Sequence, residues 1–421
     1  MNQSHLKKLI AAVFITASVV ACKKSNDSEQ NGAIPGFSTA LKAETYQPKT
    51  TGASVKAYYH GELVDLLEIE NGKYLFANDI VLNPEDVSLT GKPSTEGAVD
   101  GKLWTNRKVY YKFATGISDT LKARWIRATA FWTVPGLDFE FIVADANTAD
   151  YIELNENSDG SAFSNSIGRK GGAQVISVDT DSFPVGSIAH EIGHALGLHH
   201  EQRRPDRDLF INVNTTNSQY IPAPTAFGIG PFDYTSIMIY PSGGVMTRKD
   251  GTGWNMQRTQ LSAGDRLSTN YKYNQGTHIQ GGIYEIEPQH AAGKNLQVSA
   301  NNSSVTIKTD DDGLSQRWQI SHVRDGFYKL VPQNNTQKSL DVEGGSTAAG
   351  ANVIVYTSGS GSNQLWQIVP SYTDGYFRLI PASARKIGVD VQDTSAADDA
   401  AVKMGALSLS QAQLWKFKKI N

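Results

Sequence analysis

The sequence predicts an α+β domain followed by an all-β domain. In the first two thirds of the chain, short strand-like segments precede a segment of helical pattern that holds four of the nine histidines. In the last third, Gln-x-Trp occurs three times, beginning at Gln316, Gln364 and Gln413. Strands followed by helices are typical of an α+β domain, and a fixed period indicates a repeat architecture.

Length and composition narrow the classes of function. A chain of 421 residues predicts two or three domains. The formal net charge of -3 is small, and no basic stripe suggests a nucleic-acid surface, so we expect no nucleic-acid partner.

The amino terminus has the pattern of an export signal. Residues 9–20 form an apolar stretch after two lysines, too short for a typical membrane-spanning helix. The end of this stretch resembles a bacterial lipobox, which predicts a signal peptide over residues 1–21 and lipidation of Cys22. An ordinary signal peptide with an incidental cysteine, or a thiolate that blocks a metal in a precursor, are alternatives. Each places the protein outside the cytoplasm, as a secreted protein or an outer-membrane lipoprotein that touches the membrane only through the lipid on Cys22.

The region 22–97 is predicted to be a tether and an inhibitory pro-segment. Residues 23–56 are polar with scattered proline and glycine. Residues 55–82 alternate like short strands, and the loop-like stretch after them suits proteolytic cleavage at about residues 89–99. The next domain is then expected to cover residues 98–277.

A metal-binding pattern, HExxHxxGxxH, runs from His190 to His200. On a helix, His190 and His194 present two imidazoles on one face. Gly197 can adopt a left-handed backbone, end the helix and return His200 as a third nitrogen ligand. Three histidines with an open position are typical of one catalytic zinc ion, and Glu191 can serve as general base toward a water molecule there.

Two motifs after this pattern resemble the astacin family of metzincin zinc endopeptidases. They are the sequence at 201–208 and the Ser-x-Met-x-Tyr sequence that ends at Tyr240. The resemblance implies an astacin-like α+β fold and protein or peptide substrates. It assigns oxyanion stabilisation to Tyr240, packing beneath the metal to Met238, and pairing with the newly formed amino terminus to Glu201.

The same resemblance suggests how the site is closed and which substrates it selects. Residues 76–79 are similar to the FxGD segment of astacin pro-segments, in which the aspartate, here Asp79, binds the zinc. Asn78 departs from the usual glycine but tolerates a left-handed backbone, and a simple Asx-type turn is the alternative. Arg258 is expected to bind an acidic side chain just after the cut, against the alternative of a solvated arginine. Residues 168–175 resemble the edge strand that holds substrate.

The three repeats over residues 281–421 resemble a ricin-type β-trefoil lectin domain. In that family, an aspartate, an aromatic residue and an asparagine of one repeat bind a sugar. The candidates are Asp341, Tyr356 and Asn363 in the second repeat and Asp390 in the third. The third repeat has Gly405 at the aromatic position, and the first has Gln297 in place of the aspartate, so one good carbohydrate site is expected.

Together these features predict a latent zinc metalloendopeptidase precursor whose carboxy-terminal domain binds carbohydrate and directs it to glycosylated proteins. A carbohydrate-binding adhesin with a vestigial peptidase domain is the alternative from another class, although the intact Glu191 argues against it. Another reaction at a three-histidine zinc, such as ester hydrolysis, is a third possibility.

Overall fold

The computed structural model describes residues 41–91, 103–223, 226, 228–274, 279–301, 303–324 and 326–420. The predicted signal peptide, the predicted lipobox and Cys22 lie outside these residues. The predicted order of an α+β domain followed by an all-β domain is confirmed. In the described part of the chain, no helix is both long enough and apolar enough to cross a membrane.

One nine-stranded sheet contains strands of both the predicted pro-segment and the predicted peptidase domain. Its strands are β1 (Thr51–Tyr59), β2 (Glu62–Ile69), β3 (Tyr74–Phe76), β4 (Ile80–Leu82), β5 (Lys108–Phe113), β6 (Glu140–Val143), β7 (Tyr151–Asn157), β8 (Ala162–Ser164) and β9 (Ala173–Asp179). Their order is β1-β2-β3-β4-β8-β9-β7-β5-β6. The pro-segment hairpins are antiparallel, and β4 continues the sheet by pairing in parallel with β8.

Two details of this sheet differ from the sequence-based expectations. Residues up to 56 were expected to form a polar tether, but β1 begins at Thr51 and Glu44 is buried. The edge strand was expected at residues 168–175, but β9 lies between β7 and β8, so β8 is the edge that the pro-segment covers. Strand β8 has only three residues, too few for a pattern to reveal it.

Three helices complete the peptidase domain: α1 (Asp119–Thr129), α2 (Val185–Ala195) and α3 (Ala263–Tyr273). The Ser118 side chain caps helix α1 by accepting from the Leu121 N–H. Ser262 and Asp265 form a capping box at the start of α3. Helix α2 carries the metal-binding pattern and is almost wholly buried between α1 and the sheet. A two-stranded antiparallel sheet of β10 (Ile211–Val213) and β11 (Met246–Arg248) follows it in the chain.

The carboxy-terminal domain is a β-trefoil built on a closed six-stranded barrel. Its strands are β12 (Gly282–Pro288), β13 (Lys294–Val298), β14 (Val305–Thr309), β15 (Trp318–Arg324), β16 (Phe327–Pro332), β17 (Lys338–Val342), β18 (Val353–Thr357), β19 (Trp366–Pro370), β20 (Phe377–Pro381), β21 (Ile387–Val391), β22 (Ala400–Ala406) and β23 (Trp415–Ile420). The barrel contains β12, β15, β16, β19, β20 and β23, and the other strands form hairpins on it.

The three Gln-x-Trp tryptophans explain the repeat. Trp318, Trp366 and Trp415 are fully buried. Each indole N–H donates to the carbonyl of an apolar residue in its own repeat, over 2.8–3.0 Å. A buried indole needs such an acceptor, so the repeated tryptophans belong to the core and not to a binding surface.

Candidate functional site

Helix α2 and the turn after it bring three imidazoles to one point. His190 and His194 lie one turn apart on α2, and Gly197, with φ +98°, reverses the chain toward His200. The three Nε2 atoms lie 3.1–3.2 Å from one another, and all three rings are buried.

Hydrogen bonds fix the tautomers of two of these rings. Nδ1 of His190 donates to the Ile237 carbonyl and Nδ1 of His194 to the Leu198 carbonyl, each over 2.8 Å. The Nε2 atoms of His190 and His194 therefore carry lone pairs that face the same point. Converging lone pairs repel one another unless a cation lies between them, and neutral imidazoles of this kind are zinc ligands. The residues fit one zinc ion.

Asp79 occupies the fourth direction around this point. It lies in the turn between β3 and β4, and its Oδ2 is 3.2, 3.5 and 2.8 Å from the Nε2 atoms of His190, His194 and His200. The neighbouring residue Asn78 has φ +74°. This is the left-handed backbone expected at the position where astacin pro-segments usually have glycine. The carboxylate is fully buried, which a simple surface turn does not explain.

Two further side chains border the same point. Glu191 is fully buried, and among the described residues neither of its carboxylate oxygens accepts a hydrogen bond. Burial, and then the charges of Asp79 and Glu44, raise the pKa of Glu191 well above its ordinary value. The single proton of the Tyr240 hydroxyl is shared between two acceptors, Asp79 Oδ2 at 2.7 Å and the backbone carbonyl of Glu44.

The turn that carries Met238 packs directly beneath α2. A Cβ added to Gly193 would lie 2.6 Å from the Met238 sulfur, so a larger residue there would displace Met238 or α2. Asp265 of α3 holds this turn by accepting from the Ser236 hydroxyl over 2.5 Å and from the Ile237 N–H over 2.9 Å.

Glu201, directly after the third histidine, points away from the metal site. Its Oε1 accepts from Arg204 and from the Asp233 N–H, each over 2.8 Å. Burial raises the pKa of Glu201 to about 7, despite the charge of Arg204. A small cavity beside Glu201 is lined by Leu198, by Ser236 and Met238 of the turn beneath α2, and by Asp265 of α3.

Arg258 is buried and not solvated. Its Nε and Nη2 donate to the two carboxylate oxygens of Glu44 over 2.8 and 2.6 Å. Burial raises the pKa of the Glu44 carboxyl, but the charges of Arg258 and His190 and the hydrogen bonds from Arg258 and Ser187 together lower the pKa to about 2.

Several residues that build the site were missed at the sequence level. Glu44 lay in a predicted tether. Gln219 holds the pro-segment turn, because its side chain accepts from the Asn78 N–H and donates to the Leu75 carbonyl. Gln202 accepts from the Tyr240 N–H over 3.1 Å. Gln202 belongs to the motif at 201–208, which was the one available signal for it.

In the second trefoil repeat, the predicted carbohydrate residues lie together, with Asp341 buried and Tyr356 exposed. Asp341 lies opposite Ile354 in the β17–β18 hairpin, so Tyr356, two residues further, projects on the same side. Tyr356 is 62% exposed. The Asn363 amide donates to both oxygens of Asp341 over 3.0 Å, and Gln364 donates to one of them over 2.7 Å.

The third repeat has no room for the same arrangement. A Cβ added to Gly405 would lie 2.2 Å from an oxygen of Asp390. Asp390 instead accepts from Gln413 over 2.9 Å. In the first repeat, Gln297 donates to Asp399 over 3.1 Å.

The chain matches two known families. Residues 98–274 match Astacin (Peptidase family M12A). Residues 269–356 and 314–405 match the ricin-type beta-trefoil lectin domain-like family.

Curated relatives include flavastacin of Elizabethkingia meningoseptica, 29% identical over 226 residues, which are 48% of this chain and 50% of flavastacin. Another is zinc metalloproteinase nas-36 of Haemonchus contortus, 31% identical over 159 residues, 34% of this chain and 26% of the relative. The chain thus spans half or less of the length of these relatives.

Among solved structures, high choriolytic enzyme 1, a hatching enzyme zinc-protease from Oryzias latipes, is similar with TM-score 0.38 and 26% identity, over 43% of this chain and 98% of that one. The Macrolepiota procera ricin B-like lectin, in complex with lactose, is similar with TM-score 0.30 and 16% identity, over 34% of this chain and 98% of that one.

Proposed function

Since residues 98–274 belong to the astacin family of zinc metalloproteinases, we propose that the protein is the latent precursor of a zinc metalloendopeptidase that cleaves peptide bonds in proteins. The observation that carries the proposal is the convergence of three imidazole Nε2 atoms beside a buried glutamate. Residues 22–97 are the tether and pro-segment, residues 98–277 the catalytic domain, and residues 281–421 the lectin domain.

The side chains divide the chemistry between them. Zinc, when bound by His190, His194 and His200, supplies a Lewis acid that activates water and polarises a carbonyl. Glu191 takes the proton from the attacking water and later passes it to the leaving amine. Tyr240 already donates to a backbone carbonyl, that of Glu44, so its hydroxyl can reach an oxyanion in the site.

Substrate is proposed to add as a strand to the edge strand β8 once the pro-segment leaves it. Such pairing uses backbone hydrogen bonds and selects little by itself. Arg258 supplies the selection, because its guanidinium holds a carboxylate with two hydrogen bonds. The enzyme is therefore proposed to prefer an acidic residue just after the cut.

Latency is proposed to depend on Asp79, whose carboxylate takes the position that water must occupy. Cleavage of the pro-segment creates the new amino terminus with which Glu201 is proposed to pair. Among the described residues, the buried Glu201 carboxyl forms an ion pair with Arg204, and it adjoins a cavity.

The trefoil is proposed to bind carbohydrate at Asp341, Tyr356 and Asn363, with Asp390 a poor second site. It would direct the peptidase to glycosylated proteins. Export, with lipid on Cys22 or without it, places the enzyme outside the cytoplasm.

Cleavage of a denatured protein by the mature chain tests the catalytic proposal. Wild-type protein should cleave it, a zinc chelator should stop cleavage, and Glu191→Ala should bind zinc without cleaving. Activity that survives in Glu191→Ala would overturn the assigned mechanism. Absence of cleavage by the zinc-loaded wild type, with glycan binding retained, would favour the adhesin alternative.

A further inference from the structure

Glu44 of the pro-segment touches both the specificity group and the oxyanion group of the proposed active site. Its carboxylate holds Arg258 with two hydrogen bonds of 2.8 and 2.6 Å. Its backbone carbonyl accepts from the Tyr240 hydroxyl. Both members of the ion pair are buried, Glu44 completely. One residue of the pro-segment therefore fills the place that an acidic substrate residue would take.

The Arg258 guanidinium is held rigidly for this contact. Its Nη1 donates to the carbonyls of Ile239 and Gln257, over 3.2 and 2.9 Å. The backbone of Arg258 lies against Gly186 in the first turn of α2, where an added Cβ would be 1.7 Å from the Arg258 carbonyl oxygen. The remaining donors face Glu44, and a buried guanidinium left without a carboxylate is costly.

The residues next to Glu44 contact the peptidase domain directly. The hydrogen bonds involved are separate from the segment that links the pro-segment to that domain. The Ala162 N–H donates to the Thr45 carbonyl over 3.2 Å. The Gln47 N–H donates to the Ser161 hydroxyl over 3.0 Å. These contacts flank β8, whose Ser164 N–H donates to the Asp79 carbonyl over 2.9 Å.

Asp79 and Glu44 are thus two anchor points, and both precede the segment in which maturation is expected to cut. A cut there breaks one peptide bond but none of the described contacts between residues 41–91 and the rest of the chain. The sheet continues from β4 to β8, and the buried ion pair stays in place.

We infer that Glu44 is a second anchor that keeps the severed pro-segment bound in the active site, so that cleavage after residue 91 yields a nicked, still inhibited complex. The inference rests on the proposed peptidase function and adds its regulation. Activation then requires dissociation of the fragment or a further cut within it.

Fragment retention tests the inference without any activity measurement. A full-length precursor that carries a recognition sequence for a site-specific protease within 92–98 is nicked, and gel filtration follows the fragment. The wild-type fragment should co-elute with the rest of the chain at micromolar concentration. Glu44→Gln should weaken retention by about 30-fold or more, the range for loss of one partner of a buried charged pair. Glu85→Gln, at an exposed position of the same segment, is the control.

The possible outcomes separate this inference from the proposed function. Ready separation of the nicked wild-type fragment, or equal retention of the wild-type and Glu44→Gln fragments, would overturn the inference. If Glu44→Gln fails to fold, Arg258→Gln removes the other partner, and retention of the wild-type fragment is still decisive. Hydrolysis of a neutral peptide is measured in parallel. A retained fragment with no activity even after its removal in urea and refolding would contradict the peptidase function but not the second anchor.

Discussion

Asp206 and Arg378 form a buried ion pair, 3.0 Å long, between the peptidase domain and the trefoil, although 172 positions separate them. Asp206 also accepts from Arg204 over 2.9 and 3.0 Å, and Arg204 in turn donates to Glu201. The Gly230 N–H donates to the Pro370 carbonyl beside them. The trefoil therefore packs on the loop that supports the residue after the third histidine.

Arg378→Met is expected to destabilise the peptidase domain. Asp206 keeps Arg204 as a partner, so the loss should be about 1–3 kcal/mol, below that for a charge left wholly unpaired. Chemical denaturation, monitored by tryptophan fluorescence, measures this change in the free energy of unfolding. Lys416→Met, at an exposed position, is the control. Equal stability of the two variants would mean that the ion pair does not couple the domains.

The Glu44–Arg258 pair predicts a pH dependence. The pKa of the Glu44 carboxyl is about 2 in the folded precursor against an ordinary 4.5. A lowered carboxyl pKa stabilises the fold above the ordinary pKa, and this stabilisation is lost as pH falls toward the folded value. Above pH 4.5, the free energy of unfolding of the wild type should thus exceed that of Glu44→Gln by about 3 kcal/mol. This difference should shrink as the pH falls from 4.5 to about 2.

Urea denaturation of the two precursors at several pH values checks this dependence. Subtracting one free energy of unfolding from the other removes the contributions of the titratable groups that both proteins share. A difference that does not change across this range would show that the pair does not depend on the charge of Glu44. Glu85→Gln should differ from wild type by less than about 0.5 kcal/mol at every pH, as an exposed site does.

The metal site was largely predictable from the sequence. Of the two residues that anchor the proposed pro-segment, Asp79 was predicted and Glu44 was not. The ligands follow from local rules, since helical spacing places His190 and His194 together and Gly197 returns the chain to His200. Asp79 was found because it lies within a four-residue motif. Glu44 carries no local signal, because its partner Arg258 is 214 positions away.

The same contrast holds for the strands. The alternating segment that contains β2 was recognised from its pattern. Strand β8 has three residues and is specified by its neighbours β4 and β9, so tertiary pairing and not propensity defines it. In the trefoil, the period revealed the architecture, but only the close contact between Gly405 and Asp390 explains why the third repeat lacks an aromatic platform.

Gly193→Ala should disturb the metal site without changing any ligand. The new Cβ would lie 2.6 Å from the Met238 sulfur and 3.3 Å from Trp132. Overpacking of this kind costs about 1–3 kcal/mol and moves α2 or the Met238 turn. Zinc content and thermal unfolding should both fall. Adding Met238→Ala should recover part of the loss, because it empties the contested space; no recovery would place the cause elsewhere.

Tyr356→Ala should abolish most carbohydrate binding and leave the fold intact. The ring is 62% exposed and contributes little to the core, yet it lies on the same side of the hairpin as Asp341. Loss of the aromatic platform should weaken binding at least tenfold, about 1.4 kcal/mol. A glycan array identifies a ligand, and calorimetry with that ligand measures the change. Asp390→Asn serves as the matched control, because Gly405 leaves the third repeat without an aromatic ring. Binding that Asp390→Asn weakens more than Tyr356→Ala would reverse the assignment of the repeats.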